Sequence, residues 1–229
     1  MPQRTRDGDV AVLDLGDDEN RFGPAWLEAI DGLLDEVDAA GSPQALVTTA
    51  SGKQYSSGLD LAYVSEDPAL AQDRLVEVVS GAHALYARLL EAPYPTVAAI
   101  PGHAFAAGAM LTLAHDLRVM RVDRGFWCLP EVDLGMGFTA GMARLIQARL
   151  APQVAHEVMV TGVRLGGEQA QERHIVDVAV AAEEVLPVAV QQARELAAKP
   201  GAAMTLIRQE MYRPVLEALR SDAPLPTTA

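Results

Sequence analysis

Residues 96–131 decide the fold, and they read TVAAIPGHAFAAGAMLTLAHDLRVMRVDRGFWCLPE. The stretch begins with an apolar segment, Thr96 to Ile100, that has the composition of a buried strand. A Pro-Gly break and a run of small residues follow, and a helical pattern then runs from Met110 to His115. Because Leu117 to Val122 is apolar again, the stretch predicts a strand, a turn of small residues, a helix and a second strand.

The small residues before the predicted helix favour a ligand site at the turn. They are Ala104, Ala106, Ala107, Gly108 and Ala109. Small side chains let a ligand approach the backbone closely, and a helix N-terminus presents unpaired N–H groups and a positive dipole end. Such groups can hold a developing oxyanion. Glu131, which follows Pro130, supplies a carboxylate that can act as an acid or base beside them.

The remainder of the chain alternates predicted strands and helices up to about residue 140. Strands are predicted at Val10 to Leu15 and Ala45 to Thr49, and helices from Pro24 onward and from Pro68 to Leu90. This alternation is typical of an α/β fold with a parallel sheet and right-handed crossovers. The last 80 or so residues are mainly helical, with one helix expected over Ala203 to Leu219. That helical tail can cover the domain or form an oligomer interface, and the pattern alone does not choose.

Composition restricts the classes of function. The 229 residues include 18 basic and 31 acidic ones, and the formal net charge of −13 argues against a nucleic-acid partner. Cys128 is the only cysteine, so no intrachain disulfide is possible. The first residues lack the apolar core of a secretory signal, and the apolar window from Val97 to Ala114 is too interrupted for a membrane span. We therefore expect a cytoplasmic protein with no membrane association.

Three segments resemble the crotonase superfamily of enoyl-CoA hydratases and isomerases. They are Tyr55 to Leu61, Val97 to Asp116, and Pro130 to Gly137. The resemblance implies a spiral of ββα units, with residues 1–150 as the core that holds an acyl-CoA site. It implies that residues 151–229 form a helical region that completes the pocket and makes a trimer interface. It also implies a homotrimer or hexamer, an acyl-CoA thioester as substrate, and no cofactor.

Within the superfamily, the chain is most similar to the Δ3,Δ2-enoyl-CoA isomerases of fatty-acid oxidation. The similarity rests on Gly102 to Gly108 and on Met120 to Gly125, which is followed by the Pro-Glu segment. It implies that Glu131 is the catalytic base and that the backbone N–H groups of Ser57 and Ala107 form the oxyanion hole. Similar hydratases have a second glutamate at the position of Met110. Because a thioether cannot transfer protons, this replacement favours isomerisation over hydration.

The resemblance also implies a path for the substrate and its CoA moiety. The residues along this path are Ser56, Gly58, Leu59, Asp60, Gly108, Met110 and Leu134. An alternative for Asp60 is a helix N-cap for the residues from Leu61 onward. The CoA phosphates have three candidate cations, Lys53, Arg208 and Arg213.

Other interpretations remain open from the sequence. A different crotonase activity, such as enoyl-CoA hydration or thioester hydrolysis, would use Glu131 to activate water. A catalytically silent acyl-CoA-binding subunit is a third hypothesis. We interpret His103 and His115 as packing or hydrogen-bonding residues and Cys128 as a buried small hydrophobe. No spacing of His, Cys, Asp or Glu predicts a metal site.

Overall fold

The computed structural model describes residues 1–41, 45–199 and 201–221. The strands are β1 Gln3–Asp7, β2 Val10–Asp14, β3 Ala45–Thr49, β4 Gln54–Ser56, β5 Thr96–Ile100, β6 His103–Phe105, β7 Leu117–Arg121, β8 Trp127–Cys128 and β9 Val178–Val180. The helices are α1 Pro24–Ala39, α2 Leu61–Ser65, α3 Ala71–Glu91, α4 Ala107–Leu113, α5 Ala140–Arg149, α6 Pro152–Thr161, α7 Gly167–Glu172, α8 Val185–Leu196, α9 Gly201–Met211 and α10 Arg213–Leu219.

The strands form two sheets that the chain visits in turn. The larger sheet has the order β1-β2-β3-β5-β7-β9 and is parallel apart from the β1–β2 pair. The smaller sheet has the order β4-β6-β8 and is parallel. Three successive units therefore each add one strand to the large sheet, one to the small sheet, and then helical structure. This arrangement confirms the predicted α/β spiral of ββα units.

The small sheet determines where a site can form. Its three strands run parallel, so their carboxyl ends lie at one edge. The loop from Ser57 to Asp60 follows β4, Ala106 and Ala107 follow β6, and Pro130 and Glu131 follow β8 shortly afterwards. Parallel sheets place ligand sites at this edge. The three segments that the sequence analysis singled out are thereby brought together.

Several element boundaries differ from the predictions. The pattern placed the start of the central helix at Met110, but α4 begins at Ala107, because the small residues are part of its first turn. A single helix was expected over Ala203 to Leu219, but the structure has two helices, α9 and α10, which are separated at Tyr212. Pro214 lies in the first turn of α10. A proline lacks the N–H that the interior of a helix needs. It is tolerated in the first turn, where the N–H groups have no acceptor within the helix.

Both faces of the large sheet are buried. Residues on one face of its strands, such as Val12, Val47 and Val97, pack with Ala189 and Val190 of α8. The alternate residues face the main core on the other side, where the helices that follow the small-sheet strands pack. A parallel sheet is normally covered on both faces, which explains the continuous apolar runs in β3 and β5.

The helical tail packs against the rest of the chain. Besides α8 on the sheet, α10 packs against α5 and α3. His83 of α3 connects these elements, because its Nε2 lies 2.8 Å from Thr139 Oγ1 at the start of α5 and its Nδ1 lies 3.1 Å from the Leu219 carbonyl oxygen. Arg208 of α9 is buried and donates to the carbonyl oxygens of Ala92 and Tyr94. The tail thus covers the core, and the division at residue 150 stays a prediction.

No helix within residues 1–41, 45–199 and 201–221 combines the length and the apolar character that crossing a bilayer requires.

A buried polar chain anchors the far end of α4. His115 Nδ1 lies 2.9 Å from the Leu111 carbonyl oxygen, so this nitrogen carries the proton. Nε2 then accepts from Thr48 Oγ1 at 2.9 Å, and Thr48 accepts from the Tyr55 hydroxyl at 2.8 Å. The interpretation of His115 as a hydrogen-bonding residue is confirmed. Its burial lowers the pKa of His115 to about 4.

This lowered pKa predicts a loss of stability in acid. The unfolded chain binds a proton at His115 near its ordinary pKa, whereas the folded protein resists it until about pH 4. The contribution of neutral His115 is therefore fully present above about pH 6.5 and is lost as the pH falls to 4, by about 3 kcal/mol. Denaturant unfolding of the wild type and of His115→Gln at several pH values measures this, because other titrating groups cancel in the difference. A difference that does not change between pH 7.5 and 4 would contradict the prediction.

Candidate active site

A cavity of about 180 Å³ lies at the carboxyl edge of the small sheet. Its walls are mainly apolar, and their residues are Ser57, Leu59, Leu61, Phe105, Ala106, Ala107, Met110, Cys128, Pro130, Glu131, Leu134, Met136, Gly137, Met142 and Arg164. Of the predicted site residues, Ser57, Leu59, Ala107, Met110, Glu131 and Leu134 lie on this wall. An apolar cavity with a few convergent polar groups is the usual form of a small-molecule site.

Glu131 is the only acid that lines the cavity in the described part of the chain. It lies in a compact turn, in which the N–H of Leu134 donates to the Pro130 carbonyl and that of Met136 to the Glu131 carbonyl. Its side chain is buried, and Oε2 has no hydrogen-bond partner among the described residues. Burial raises the pKa of Glu131 to about 7, which suits a group that both removes and returns a proton near neutral pH.

Met110 shares the cavity with Glu131. It lies one turn into α4 and is 1 % exposed. No other residue that lines the cavity in the described chain supplies a second carboxylate in place of the one absent at position 110. The site therefore has one proton-transfer group and a thioether in the same chamber. The sequence predicted this combination from Glu131 and from Met110, the position at which similar hydratases have a second glutamate.

The turn before α4 has an unusual backbone. Ala106 has φ 49° and ψ −124°, a left-handed conformation that L residues adopt only at a cost of about 1–3 kcal/mol. Two backbone bonds hold it, from the Ala106 N–H to the Cys128 carbonyl and from the Met110 N–H to the Ala106 carbonyl, each 3.0 Å. As the first residue of α4, Ala107 has an N–H group without an acceptor among the described residues, as the oxyanion prediction requires.

The prediction for the second oxyanion donor is wrong. The Ser57 N–H donates to the Glu19 carbonyl oxygen at 2.9 Å and is therefore not available to a ligand. The N–H of Gly58 is also occupied, by Ser56 Oγ at 3.1 Å. The Leu59 N–H is the next along the loop, and the described residues provide no acceptor for it. Leu59 lines the cavity and replaces Ser57 as the candidate donor.

Gly58 brings these two donors together. Its φ of +88° favours glycine, and a Cβ atom there would lie 3.0 Å from the Ala107 nitrogen and from the Phe105 carbonyl oxygen. The loop after β4 can lie this close to the turn after β6 only because position 58 has no side chain. Leu59, the next residue, lines the same cavity as Ala107, as an oxyanion hole built from their two N–H groups requires.

Three other predicted ligand contacts have structural roles, and their contact with a ligand stays a prediction. Ser56 is fully buried, and its hydroxyl donates to the Asn20 carbonyl oxygen at 2.7 Å. Gly108 packs against Ser56, where a Cβ atom would lie 2.5 Å from the Ser56 carbonyl oxygen. Asp60 caps α2 by accepting from the Tyr63 N–H at 3.2 Å, which confirms the alternative interpretation. None of the three lines the cavity.

Among the candidate cations for the CoA phosphates, only Lys53 remains without a described partner. Arg208 is buried and bound to Asp116 and two carbonyl groups, and Arg213 is paired with Glu210. Lys53 is exposed on the loop that precedes β4.

Cys128 and His103 have no role in proton transfer in this geometry. Burial raises the pKa of the Cys128 thiol to about 11, and its Sγ lies 3.2 Å from the Gly162 carbonyl oxygen. His103 contacts the rings of Phe105 and Phe126 and does not line the cavity. In the described part of the chain, no group of three or more His, Cys, Asp or Glu residues can hold a metal ion.

Sequence reasoning missed the residues that arrive from distant parts of the chain. Arg164 lies on the cavity wall with its guanidinium carbon 5.8 Å from the centre of the Phe105 ring. Met142 of α5 supplies further wall. Tyr86 of α3 is fully buried behind the turn, and its hydroxyl donates to the Ala107 carbonyl oxygen at 2.8 Å. No local pattern marks any of these residues as part of a site.

Known proteins resemble this chain over most of its length. A sequence model of the family described as enoyl-CoA hydratase/isomerase matches residues 6–224. The chain is 36% identical over 212 residues to enoyl-CoA delta isomerase 3 of Arabidopsis thaliana, covering 90% of this chain and 89% of that protein. It is also 36% identical to the peroxisomal enoyl-CoA delta isomerase 2 of Arabidopsis thaliana, with the same coverage of 90% and 89%.

Solved structures share the fold. The apo structure of an enoyl-CoA isomerase from Mycobacterium tuberculosis superposes with a TM-score of 0.86 at 28% identity, covering 96% of this chain and 95% of that one. An enoyl-CoA hydratase from Mycobacterium ulcerans superposes with a TM-score of 0.88 at 27% identity, covering 96% and 94%.

Proposed function

We propose that this chain, which belongs to the enoyl-CoA hydratase/isomerase family, shifts the double bond of a 3-enoyl-CoA to the 2-trans position. One observation carries the proposal: Glu131 is the only acid that lines the cavity in the described residues, and Met110 occupies the same chamber. A single carboxylate suffices to move one proton between two carbons. The sequence identity to proteins named enoyl-CoA delta isomerase supports the same reaction.

In the proposed reaction, Glu131 removes a proton from C2 of the 3-enoyl thioester. The electron pair of that C–H bond moves toward the thioester carbonyl, which gives a dienolate with its negative charge on the oxygen. The N–H groups of Leu59 and Ala107 donate to that oxygen, and each such donor contributes about 3–4 kcal/mol to transition-state stabilisation. Glu131 then returns the proton to C4, and the double bond comes to rest between C2 and C3.

Hydration makes a further demand that this site does not meet. Adding water across a 2-enoyl thioester requires one group that positions and deprotonates the water and a second group that delivers a proton to C2. Met110 can neither accept nor donate that proton. The conjugated product therefore leaves the site unhydrated.

The proposal extends to the setting in which the enzyme acts. We place the reaction in fatty-acid oxidation, where unsaturated acyl-CoA chains need their double bond moved into conjugation. The family resemblance supports an enzyme that works without a cofactor and assembles as a homotrimer or a hexamer. The single cysteine, which excludes an intrachain disulfide, supports a reducing compartment such as the cytoplasm as its location.

Product analysis by mass spectrometry tests the reaction class. After incubation with 3-enoyl-CoA, we expect a product of unchanged mass that elutes with authentic 2-trans-enoyl-CoA. A product heavier by one water would indicate hydration, and release of free CoA would indicate thioester hydrolysis. Either of these as the main product would contradict the proposal.

Replacement of Met110 by glutamate tests why hydration is absent. We expect Met110→Glu to acquire detectable hydration of 2-trans-enoyl-CoA, because a second carboxylate can then share the proton transfers. Isomerisation should fall, because a like charge beside Glu131 raises its pKa further above 7. Met110→Leu, which conserves volume, is the matched control and should isomerise without hydrating. Hydration by Met110→Leu, or none by Met110→Glu, would show that position 110 does not decide the outcome.

A further inference from the structure

Tyr86 of α3 lies behind the cavity wall and contacts the backbone of the reaction site. It is fully buried and does not line the cavity, so it does not touch a bound substrate. Its hydroxyl donates to the carbonyl oxygen of Ala107 at 2.8 Å. In the described part of the chain, no other side chain forms a hydrogen bond with the backbone of residues 105–108. Tyr86 is therefore the only side-chain anchor found for this turn.

The turn needs an anchor because its backbone is strained. Ala106 holds a φ of 49°, and an L residue keeps such a conformation only when its surroundings enforce it. Relaxation of Ala106 toward negative φ would rotate the following peptide and turn the Ala107 N–H away from the cavity. The hydroxyl of Tyr86 fixes Ala107 on its carbonyl side and so opposes that rotation.

The ring of Tyr86 also packs near Phe22, the residue whose backbone supports the second donor. It lies 6.4 Å from the ring of Phe22, at an interplanar angle of 55°. The backbone of Phe22 forms a parallel bridge with Leu59, in which the Phe22 N–H donates to the Gly58 carbonyl and the Asp60 N–H donates to the Phe22 carbonyl. These two bonds bracket Leu59 and leave its own N–H facing no described acceptor. Tyr86 thus contacts the supports of both N–H donors.

Tyr86 also remains a hydrogen-bond donor at every working pH. Burial, together with the nearby carboxylate of Glu131, raises the pKa of its hydroxyl well above 10. Ionised Glu131 therefore does not deprotonate the Tyr86 hydroxyl that donates to the Ala107 carbonyl oxygen.

We propose that Tyr86 is a positioning residue for the isomerisation, because it holds the Ala107 and Leu59 N–H groups aimed at the thioester oxygen of the dienolate. The inference rests on the proposed function and adds a residue that acts through the backbone rather than on the substrate. It predicts a defect in binding the charged oxygen and not in binding the acyl-CoA as such.

Tyr86→Phe removes the hydroxyl and keeps the ring. We expect kcat for 3-enoyl-CoA to fall about 10-fold with KM within 2-fold of wild type, which is less than the 10²–10³-fold effect of deleting an oxyanion donor outright. The matched control is Tyr94→Phe, which also removes one hydroxyl from a buried tyrosine; that hydroxyl donates to Asp38 at 2.8 Å, and neither residue lines the cavity. Its kcat should stay within 2-fold of wild type at a comparable melting temperature.

A binding measurement separates this inference from the reaction itself. A 3-oxoacyl-CoA has an acidic C2 position, and its enolate absorbs in the near ultraviolet, so titration reports the affinity for an anionic thioester oxygen without turnover. We expect Tyr86→Phe to bind this enolate about 10-fold more weakly and a saturated acyl-CoA equally well. Equal losses for both ligands, or the same losses in Tyr94→Phe, would overturn the role of Tyr86. If wild type binds the enolate as expected but does not turn over 3-enoyl-CoA, the proposed function fails and the role of Tyr86 in holding an oxyanion stands.

Discussion

Glu131→Gln is expected to lower the turnover of 3-enoyl-CoA by about 10⁴-fold, the upper end of the range for a positioned acid–base group, because this residue handles both proton transfers. Glutamine has nearly the same shape and fits the same buried turn, but it cannot accept the C2 proton. The affinity for a saturated acyl-CoA should change by less than about 3-fold, since the apolar wall and the N–H donors are intact. Steady-state kinetics and equilibrium binding measure the two quantities.

The matched control for this variant is Asp133→Asn. Asp133 is two residues from Glu131 but is exposed and lies outside the cavity wall. Its replacement should leave turnover within about 3-fold of wild type, as is usual for a surface change of this kind. A large loss in Asp133→Asn, or substantial turnover in Glu131→Gln, would remove Glu131 from the role of base.

The raised pKa of Glu131 predicts a pH dependence of turnover in the wild type and a difference in stability between the wild type and Glu131→Gln. In the wild type, kcat/KM should rise with pH and level off above about 7, because the base must be ionised to act.

Folding stability should change with pH in the opposite direction. The folded protein favours the protonated form of Glu131, so the stability that this protonated form contributes is present below about pH 4.5 and is lost as the pH rises through 7. Glu131→Gln should therefore be more stable than wild type above pH 7, by about 3 kcal/mol. Equal stability at pH 8 would mean that the buried carboxylate is not destabilising.

Deletion of a single N–H group from the oxyanion hole should have the second-largest effect. Replacing the amide N–H of Ala107 or of Leu59 by an ester oxygen, through incorporation of the corresponding α-hydroxy acid, removes the donor and keeps the side chain. We expect kcat to fall by about 10²–10³-fold in each case, because each donor acts where charge develops in the transition state. KM should change little, because the ground-state carbonyl binds these groups weakly by comparison.

The same replacement at Ser57 is the matched control. Its N–H donates to the Glu19 carbonyl oxygen, so the ester should reduce stability by about 1 kcal/mol and leave kcat within a few-fold of wild type. This comparison decides between Leu59 and Ser57 directly. A loss of activity from the Ser57 ester that exceeds the loss from the Leu59 ester would restore Ser57 as the donor.

The fold was largely predictable because its long elements carry strong patterns. The buried strand at Thr96 to Ile100 and the helix that begins at Pro24 both match their predicted positions. The small sheet was not predicted, because β6 has three residues and β8 has two, too few for any periodicity to appear. These short strands form because the ββα spiral places them beside β4, which is a tertiary effect.

The candidate site was predictable where chemistry resides in side chains and unpredictable where it resides in the backbone. A glutamate after proline and a methionine in place of a second acid can be recognised in the sequence. Whether the Ser57 or the Leu59 N–H is free depends on a carbonyl at Glu19, 38 residues before Ser57, and on the φ of +88° at Gly58. The hydrogen bond from Tyr86 to Ala107 likewise joins residues that no local pattern connects.

The central claim is that one carboxylate isomerises and does not hydrate, and a paired absorbance measurement tests it most directly. The enzyme is given 3-enoyl-CoA, while conjugation of the double bond with the thioester is followed, and in parallel 2-trans-enoyl-CoA, while loss of that conjugated signal is followed. We expect rapid conjugation of the first substrate and negligible loss of signal from the second. Rapid loss of the 2-enoyl signal would contradict the account, because it would show that Glu131 activates water without a second acid at position 110.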